Sequence, residues 1–259
     1  MLILGGIIIG FLASFISALF GGGSGLIMVP SIYWLLSHAY PHSNDLMQMT
    51  FTTGSCMAIP LGMMASYKHA KYKNIDGSML RQMIFPMMFG GVIGVITIAV
   101  TSSANLKSYF SVAIALIAVW LFFHKNKGNA AHWPKSIKKT IGAIVGFIST
   151  TLSVSVFSVP LFIKFGLDIK KAIGTSTVIV LSYSAVSAIS LLVLGIKIVG
   201  ISHGNIGYLS LPIFLSGVIP SLLGSMIGAK VVSILPQNIM KYCFIILILV
   251  VSGLMFLSD

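Results

Sequence analysis

The sequence contains very few acidic residues. Four of its 259 residues are acidic, Asp45, Asp76, Asp168 and Asp259, against 16 lysines and arginines. All four lie at the ends of long apolar segments, so no segment contains a carboxylate that could hold a metal ion or an organic cation. Charged residues make up only 8% of the chain and hydrophobic residues 57%, far from the composition of soluble domains. This composition predicts an integral membrane protein and disfavours cation transport.

Cysteine is equally scarce, and no cysteine or histidine has a partner at the spacing of metal ligands. Cys56 and Cys243 both lie inside apolar segments. We therefore expect no disulfide framework, no metal and no cofactor. The formal net charge is +12, but the basic residues cluster between the apolar segments, where they orient membrane proteins. We accordingly expect no nucleic-acid partner.

Long apolar runs recur along the whole chain. Each is about long enough, at ~1.5 Å per residue, to cross a hydrocarbon core of ~30 Å as a helix. The runs cover residues 2–20, 46–66, 82–101, 106–123, 140–163, 173–196, 206–229 and 237–257. They predict an all-α polytopic protein with about eight membrane segments, embedded in a lipid bilayer.

The chain also repeats itself. The segment GIIIGFLASFIS (Gly6 to Ser17) returns as GAIVGFISTTLS (Gly142 to Ser153), and PMMFGGVIG (Pro86 to Gly94) returns as PSLLGSMIG (Pro220 to Gly228). Two homologous halves follow from this pattern, joined by a polar basic segment. The predicted divisions are a first membrane repeat, a basic cytoplasmic linker and a second membrane repeat at residues 1–123, 124–139 and 140–259.

Pairs of glycines four residues apart occur in both halves. Glycines at this spacing allow two membrane helices to approach closely. The pairs are Gly6 and Gly10, Gly90 and Gly94, Gly142 and Gly146, and Gly224 and Gly228. We expect them to lie at helix contacts.

The first apolar segment is too long for one upright helix. It extends from Leu2 to Leu36 and contains GGGSG, so we expect it to be broken or re-entrant at these glycines, as is its copy in the second half. If both first segments are hairpins, the second half is inverted, and only Lys107 and Lys197 of the 16 basic residues fall outside the basic face. With parallel halves the charge bias is weaker. The positive-inside rule therefore favours an inverted repeat.

Inverted repeats with broken helices are typical of transporters, which bind substrate near the bilayer midplane. The glycine-rich break leaves amide groups unpaired at the start of a helix, an arrangement that favours an anion. The copy of this break is rich in hydroxyls, and paired hydroxyl clusters follow in both halves. A single membrane Ser or Thr usually bonds a carbonyl of its own helix, but the paired occurrence favours binding. The candidate substrate-binding residues are Gly21, Gly23, Ser24, Gly25, Thr52, Thr53, Ser153, Ser155, Thr175 and Ser176.

Two of these elements resemble motifs of the TauE/SafE family of sulfite exporter and permease-like proteins. SALFGGGSGLIMVP (Ser17 to Pro30) fits the pattern S-x-x-x-G-x-G-G-G-x-x-x-x-P, except that Ser24 stands where glycine is usual. The element A-x-G-T-S is matched from Ala172 to Ser176, with a weak version, MTFTT, from Met49 to Thr53. The resemblance covers nearly the whole chain. It implies transport of small sulfur-containing anions, such as sulfite or organosulfonates, across the cytoplasmic membrane.

Other functions stay open at this point. A passive anion channel would use similar polar backbone at the midplane. GGSG (Gly22 to Gly25) has the form found in rhomboid proteases, but the chain's six histidines lie in predicted loops or at segment edges, so the serine lacks a base and we expect no enzyme. Proton coupling through Asp45 or Asp168 and assembly into a homo-oligomer are left open.

The charge distribution generates a testable topology. We predict that the linker 124–139 and the loops near 164–171 and 230–241 all face the cytoplasm, because this arrangement places the lysines inside. Single cysteines introduced into a cysteine-free background would report it through labelling of intact cells. Labelling at position 168 from outside, with position 130 protected, would instead support parallel repeats.

Overall fold

A computed structural model describes residues 1–20, 24–123, 133–155, 157–202 and 204–232, with the single residues 246, 249, 250 and 253. Within these ranges the chain is almost entirely helical. The helices are α1 (Leu2–Phe20), α2 (Ser24–Ala39), α3 (Leu46–Lys71), α4 (Gly77–Val100), α5 (Ser103–Phe123), α6 (Lys135–Thr151), α7 (Ser158–Lys164), α8 (Ile169–Ile198) and α9 (Leu211–Val232). The strands β1 (Ile201–Ser202), β2 (Asn205–Ile206) and β3 (Leu209–Ser210) form a small antiparallel sheet in the order β1-β2-β3.

Several helices have the length and composition of membrane spans. Among the described residues, α4, α8 and the part of α9 from Leu211 to Gly228 are long and apolar enough to cross a bilayer. Large apolar side chains point outward from these helices, with Phe85 76% and Ile219 68% exposed. Such surfaces are stable only against lipid or another protein. The prediction of an all-α membrane protein is confirmed, whereas the number of segments stays a prediction, since the run 237–257 lies largely outside the described residues.

Each half begins with two helices in place of one long one. Helix α1 ends at Phe20 and α2 begins at Ser24, while α6 ends at Thr151 and α7 begins at Ser158. A Cβ atom at Gly5, near the start of α1, would overlap the Leu35 side chain near the end of α2, so the chain reverses direction between these helices. The expected break is therefore present in the first segment of each half, and the apolar run 140–163 is divided accordingly. These breaks matter because they bring helix ends into the interior of the fold.

The helices of the two halves pack mainly on each other. Helix α1 packs most extensively along α9, and α4 along α6. In the repeat predicted from the sequence, α9 corresponds to α4 and α6 to α1, so each of these helices packs on a helix of the other half. Helices α3 and α8, which the same prediction pairs, lie antiparallel: Thr53 near the start of α3 contacts Ser210 beyond the end of α8, and Thr175 near the start of α8 contacts Asp76 beyond the end of α3.

Glycines allow the exchanged helices to touch backbone to backbone. A Cβ atom at Gly90 would overlap the carbonyl oxygen of Ala143, and one at Gly224 would overlap that of Phe11. The role expected for the glycine pairs is thereby confirmed at these positions. The other paired glycines at which a Cβ would meet atoms of the partner helix are Gly6, Gly10, Gly94, Gly142 and Gly146.

Acidic residues stand before helices, as the sequence indicates. Asp76 accepts a hydrogen bond from the Met79 amide at 2.8 Å, and Asp168 accepts one from the Lys171 amide at 3.0 Å. Both carboxylates therefore cap a helix N-terminus. Asp45 precedes α3 without a side-chain capping bond, and Asp259 lies outside the described residues.

The structure differs from the predicted boundaries at two connections. Helix α6 begins at Lys135, inside the predicted linker 124–139, of which residues 124–132 lie outside the described residues. The apolar run expected at 206–229 starts with the strands, and α9 begins only at Leu211. The turns between α8 and α9 require glycine, because Gly200 and Gly204 have φ angles of +78° and +88°.

The backbone contacts predict which glycines tolerate a side chain. Gly90→Ala and Gly224→Ala should each destabilise the protein by about 1–3 kcal/mol, since the new methyl group must separate two helices. Gly77→Ala is the matched control, because no atom lies within 4 Å of a Cβ built there. Thermal unfolding of the purified variants is the measurement. Equal stability of all three would contradict the assignment of Gly90 and Gly224 as helix contacts.

Candidate functional site

A cavity lies where the broken segments of the two halves meet. Its volume is about 50 Å³, and it is bounded by α2 and α3 of the first half and by α6, α8 and the turn after α6 of the second half. The lining residues are Gly25, Met28, Val29, Gly54, Ser55, Ala58, Ser149, Thr150, Ser153, Ser155, Val180, Tyr183, Ser184 and Ser187. We call it the central cavity.

The two breaks touch each other at one side of the central cavity. A Cβ atom at Gly25 would overlap the carbonyl oxygen of Ser153, and the Ser153 carbonyl carbon would lie 2.7 Å from it. Gly25 is buried, so the close approach has no room to relax. Only glycine at position 25 permits this contact between the start of α2 and the end of α6.

The turn that ends α6 sets the direction of the Ser153 carbonyl. The Val154 amide donates to the Ser149 carbonyl at 2.9 Å, and the Ser153 amide donates to the Thr150 carbonyl at 3.1 Å. This pair of bonds is a Schellman motif, which requires a left-handed residue and usually uses glycine. Ser153 occupies that position with φ of +51°. A non-glycine residue in this conformation is strained by about 1–3 kcal/mol.

Buried hydroxyl groups face the central cavity from the second half. Ser149, Thr150 and Tyr183 are each at most 3% exposed. The Tyr183 hydroxyl lies beside those of Ser149 and Ser158, yet no hydrogen bond of regular geometry joins these oxygens to each other or to another described group. A buried hydroxyl without a partner costs about 1–3 kcal/mol. The cavity therefore holds donors that a bound ligand could satisfy.

Besides the hydroxyls, the N-terminus of α2 supplies the cavity with backbone amides and a positive potential. Gly25, in the first turn of α2, lines the cavity, and the first amides of a helix have no intrahelical acceptor. They attract an anion, as does the helix dipole. Helix α6 ends at the same cavity, but the carbonyls of Ser149 and Thr150 in its last turn are occupied by the Schellman bonds. The described lining contains no charged side chain.

Three of the sequence-predicted residues meet at this cavity. Gly25, Ser153 and Ser155 all line it. Ser24 is the first residue of α2, but its side chain is outside the described part of the structure, as are residues Gly21 and Gly23.

Two other predicted residues lie elsewhere. The Thr52 hydroxyl donates to the Gln48 carbonyl at 2.7 Å within α3, which is the ordinary role of a helical threonine. Ser176 is 3% exposed and its hydroxyl has no partner among the described residues. Neither residue lines the central cavity.

Thr53 and Thr175 link the two halves. The Thr53 hydroxyl accepts a hydrogen bond from the Ser210 amide at 3.0 Å, just before α9, and the Thr175 hydroxyl accepts one from the Asp76 amide at 2.9 Å, just before α4. Each threonine thus bonds the residue just before a helix of the opposite half, α9 for Thr53 and α4 for Thr175. Alignment of MTFTT (Met49 to Thr53) with the element from Ala172 to Ser176 pairs Thr53 with Ser176. The hydrogen bonds instead give Thr53 the same role as Thr175, one residue away.

Sequence reasoning missed most of the hydroxyls in the cavity. Ser55, Ser149, Thr150, Tyr183, Ser184 and Ser187 line it but were not among the candidates. Three of them lie on one face of α8, because Tyr183, Ser184 and Ser187 follow the three- and four-residue spacing of a helix. Such a polar stripe in an otherwise apolar helix is the signal that could have found them.

Comparison with known proteins identifies the family. The family model "Sulfite exporter TauE/SafE" matches residues 6–255. The chain belongs to the TauE/SafE family. A probable membrane transporter protein of Haemophilus influenzae is 26% identical over 256 residues, which are 97% of both chains. One of Methanocaldococcus jannaschii is 25% identical over 230 residues, 87% of this chain and 84% of the relative.

No solved structure matches this TauE/SafE protein. Its family membership confirms the resemblance identified from the sequence motifs. Together with the apolar helices, membership makes the chain a multi-pass membrane transporter of the TauE/SafE type.

The contacts of Thr53 and Thr175 predict a structural role. Thr53→Val and Thr175→Val should each lower stability by about 0.5–1.5 kcal/mol, because each removes one hydrogen bond between the halves. Thr97→Val is the control, since Thr97 bonds only the Ile93 carbonyl of its own helix. Thermal unfolding checks the prediction. A loss of substrate affinity without a loss of stability would instead support a direct binding role.

Proposed function

We propose that this TauE/SafE protein transports small sulfur-containing anions, such as sulfite or short organosulfonates, through the central cavity. One observation carries the proposal: buried hydroxyls without hydrogen-bond partners face the start of α2 in a cavity whose described lining has no charged side chain. The family name adds the substrate class, and the cavity supplies the chemistry.

Neutral donors suit an anion that must leave again. A cationic side chain would bind an oxyanion strongly but is costly at membrane depth. Hydroxyls and helix-terminal amides donate hydrogen bonds to oxyanion oxygens and contribute a more modest amount each. The described lining contains no carboxylate, so no anionic side chain there attracts a cation. The site therefore favours reversible binding of a compact oxyanion.

The size of the cavity favours the smallest members of the substrate class. A single water requires ~10–15 Å³ of such volume, so about 50 Å³ accommodates only a few atoms of that size. Sulfite has four heavy atoms and matches this space, whereas an organosulfonate with a carbon chain requires the cavity to widen. Sulfite is accordingly the substrate with which tests should begin.

We further propose the inverted arrangement of the repeats, with about eight membrane segments. Equivalent helices of inverted repeats run in opposite directions across the membrane, and the antiparallel packing of α3 and α8 supports this arrangement. The distribution of lysines supports it independently. In this arrangement the central cavity lies between the halves near the midplane of the cytoplasmic membrane.

Among the described residues that line the cavity, none is a carboxylate or an imidazole. Apart from the Tyr183 hydroxyl, the described side chains there offer no group that commonly transfers protons. If transport is coupled to protons, the proposal is that the substrate itself carries the proton, since sulfite can be protonated.

Flux measurements on the purified protein in liposomes test this function. Gly25→Ala should abolish sulfite transport, because the added methyl group overlaps the Ser153 carbonyl. Ser149→Ala and Tyr183→Phe should raise the half-saturating sulfite concentration by up to about tenfold, the contribution of one hydrogen bond. Thr97→Ala, which removes a hydroxyl far from the cavity lining, is the control and should transport like the unmodified protein.

Wild-type sulfite affinity in both Ser149→Ala and Tyr183→Phe would contradict binding at the central cavity. The same liposomes distinguish a carrier from a passive channel. A carrier coupled to protons responds to an imposed proton gradient, whereas a channel transports at a rate set by the sulfite gradient and the membrane potential alone.

A further inference from the structure

A second and larger opening lies on the outer surface between α4 and α6. This groove has a volume of about 470 Å³. Arg81 and Lys139 line one part of it, and Phe85 and Phe89 line another. It is separate from the central cavity, with which it shares no lining residue.

The two cations lie at the same end of the groove. Helices α4 and α6 pack in the same direction, because Met83 contacts Gly142 while, further along, Gly94 contacts Phe147. Arg81 is in the second turn of α4 and Lys139 in the second turn of α6, so both stand near the N-terminal ends of the two helices. Both are exposed.

Among the described residues, neither cation has an anionic partner. No ion pair joins Arg81 or Lys139 to another residue in the described part of the chain, and Asp76, the acid nearest Arg81 in sequence, accepts its hydrogen bond from Met79. A third polar group in the groove lacks a partner within the described ranges. Gln82 lines the groove, and its buried side-chain amide nitrogen has no hydrogen-bond acceptor among the described residues.

The rest of the groove is apolar and open. Phe85 and Phe89 follow Arg81 at intervals of four residues, so all three share one face of α4. The side chains of Phe85 and Phe89 are 76% and 66% exposed. Ala143, one turn after Lys139, lines the opposite wall. The groove therefore combines a cationic end with an apolar wall along the membrane-facing helices.

We propose that this groove binds an anionic phospholipid. The phosphate group would lie between Arg81 and Lys139, within reach of Gln82, and an acyl chain would lie along Phe85 and Phe89. Basic pockets between membrane helices bind anionic lipid headgroups in this manner. The charge tally places this end of the helices on the cytoplasmic face, where anionic lipid is available.

Two other occupants fit the groove less well. A free anion would satisfy Arg81 and Lys139 but would leave Phe85 and Phe89 uncovered. A second copy of the chain would cover the phenylalanines, but the same groove on both copies would bring like charges together. Only an anionic lipid satisfies both parts of the groove at once.

Native mass spectrometry of the full-length protein tests the proposal. The protein would be purified with equal amounts of phosphatidylglycerol and phosphatidylcholine, and the retained lipid measured. We expect retention of phosphatidylglycerol, and about thirtyfold weaker binding in Arg81→Gln/Lys139→Gln, since each basic residue near anionic lipid contributes about fivefold. Lys164→Gln/Lys170→Gln is the matched control, because it removes the same charge from two exposed residues that the charge tally assigns to the same face and that lie outside the groove.

Equal retention of the two lipids, or equal loss of phosphatidylglycerol in both double variants, would overturn the proposal. If inorganic phosphate or sulfite displaced phosphatidylglycerol and bound as tightly as the lipid does, the proposal would be overturned in favour of a free anion. A dimer that Arg81→Gln/Lys139→Gln dissociates, with no lipid bound, would assign the groove to a second copy. If that variant fails to fold, the binding of phosphatidylglycerol and of glycerol phosphate to the unmodified protein is compared instead. The proposal requires tighter binding of the lipid, because only the lipid has acyl chains that can contact Phe85 and Phe89, and equal binding would overturn it.

Discussion

The fold depends on close backbone contact between helices of opposite halves. In a membrane, helices gain little from burying apolar side chains, because lipid is as apolar as leucine, and association relies on tight packing. Gly90 and Gly224 provide that packing at equivalent positions of the two halves, against α6 and α1. These glycines set a short distance between the paired helices.

That distance brings the two helix breaks into contact. Gly25 lies against the Ser153 carbonyl, and the hydroxyls of Ser149 and Tyr183 are buried at the same cavity with no hydrogen bond of regular geometry among the described residues. A polar cavity of this kind is costly in an apolar protein. Thr53 and Thr175 offset part of the cost of enclosing it, since each ties its own half to the start of a helix in the other.

The sequence predicts the parts of this arrangement that repeat or break a pattern. The duplicated glycines indicate the helix contacts, and GGGSG indicates the interruption before α2. The register of Thr53 against Thr175 differs by one residue from the prediction, because short hydroxyl motifs align equally well in two ways. The strands β1 to β3 have two residues each, too few for an alternating pattern. Tyr183 was missed because it belongs to none of the paired hydroxyl motifs from which the candidates were chosen.

The tightly packed helix pairs of this fold do not coincide with its two halves. Backbone contacts at Gly10, Gly90, Gly146 and Gly224 fix the distance between α1 and α9 and between α4 and α6, so each pair forms a stiff unit. Each unit takes one helix from each half of the chain. A movement that opens the central cavity would therefore slide one composite pair past the other, and the bodies that move would not be the two repeats that the sequence displays.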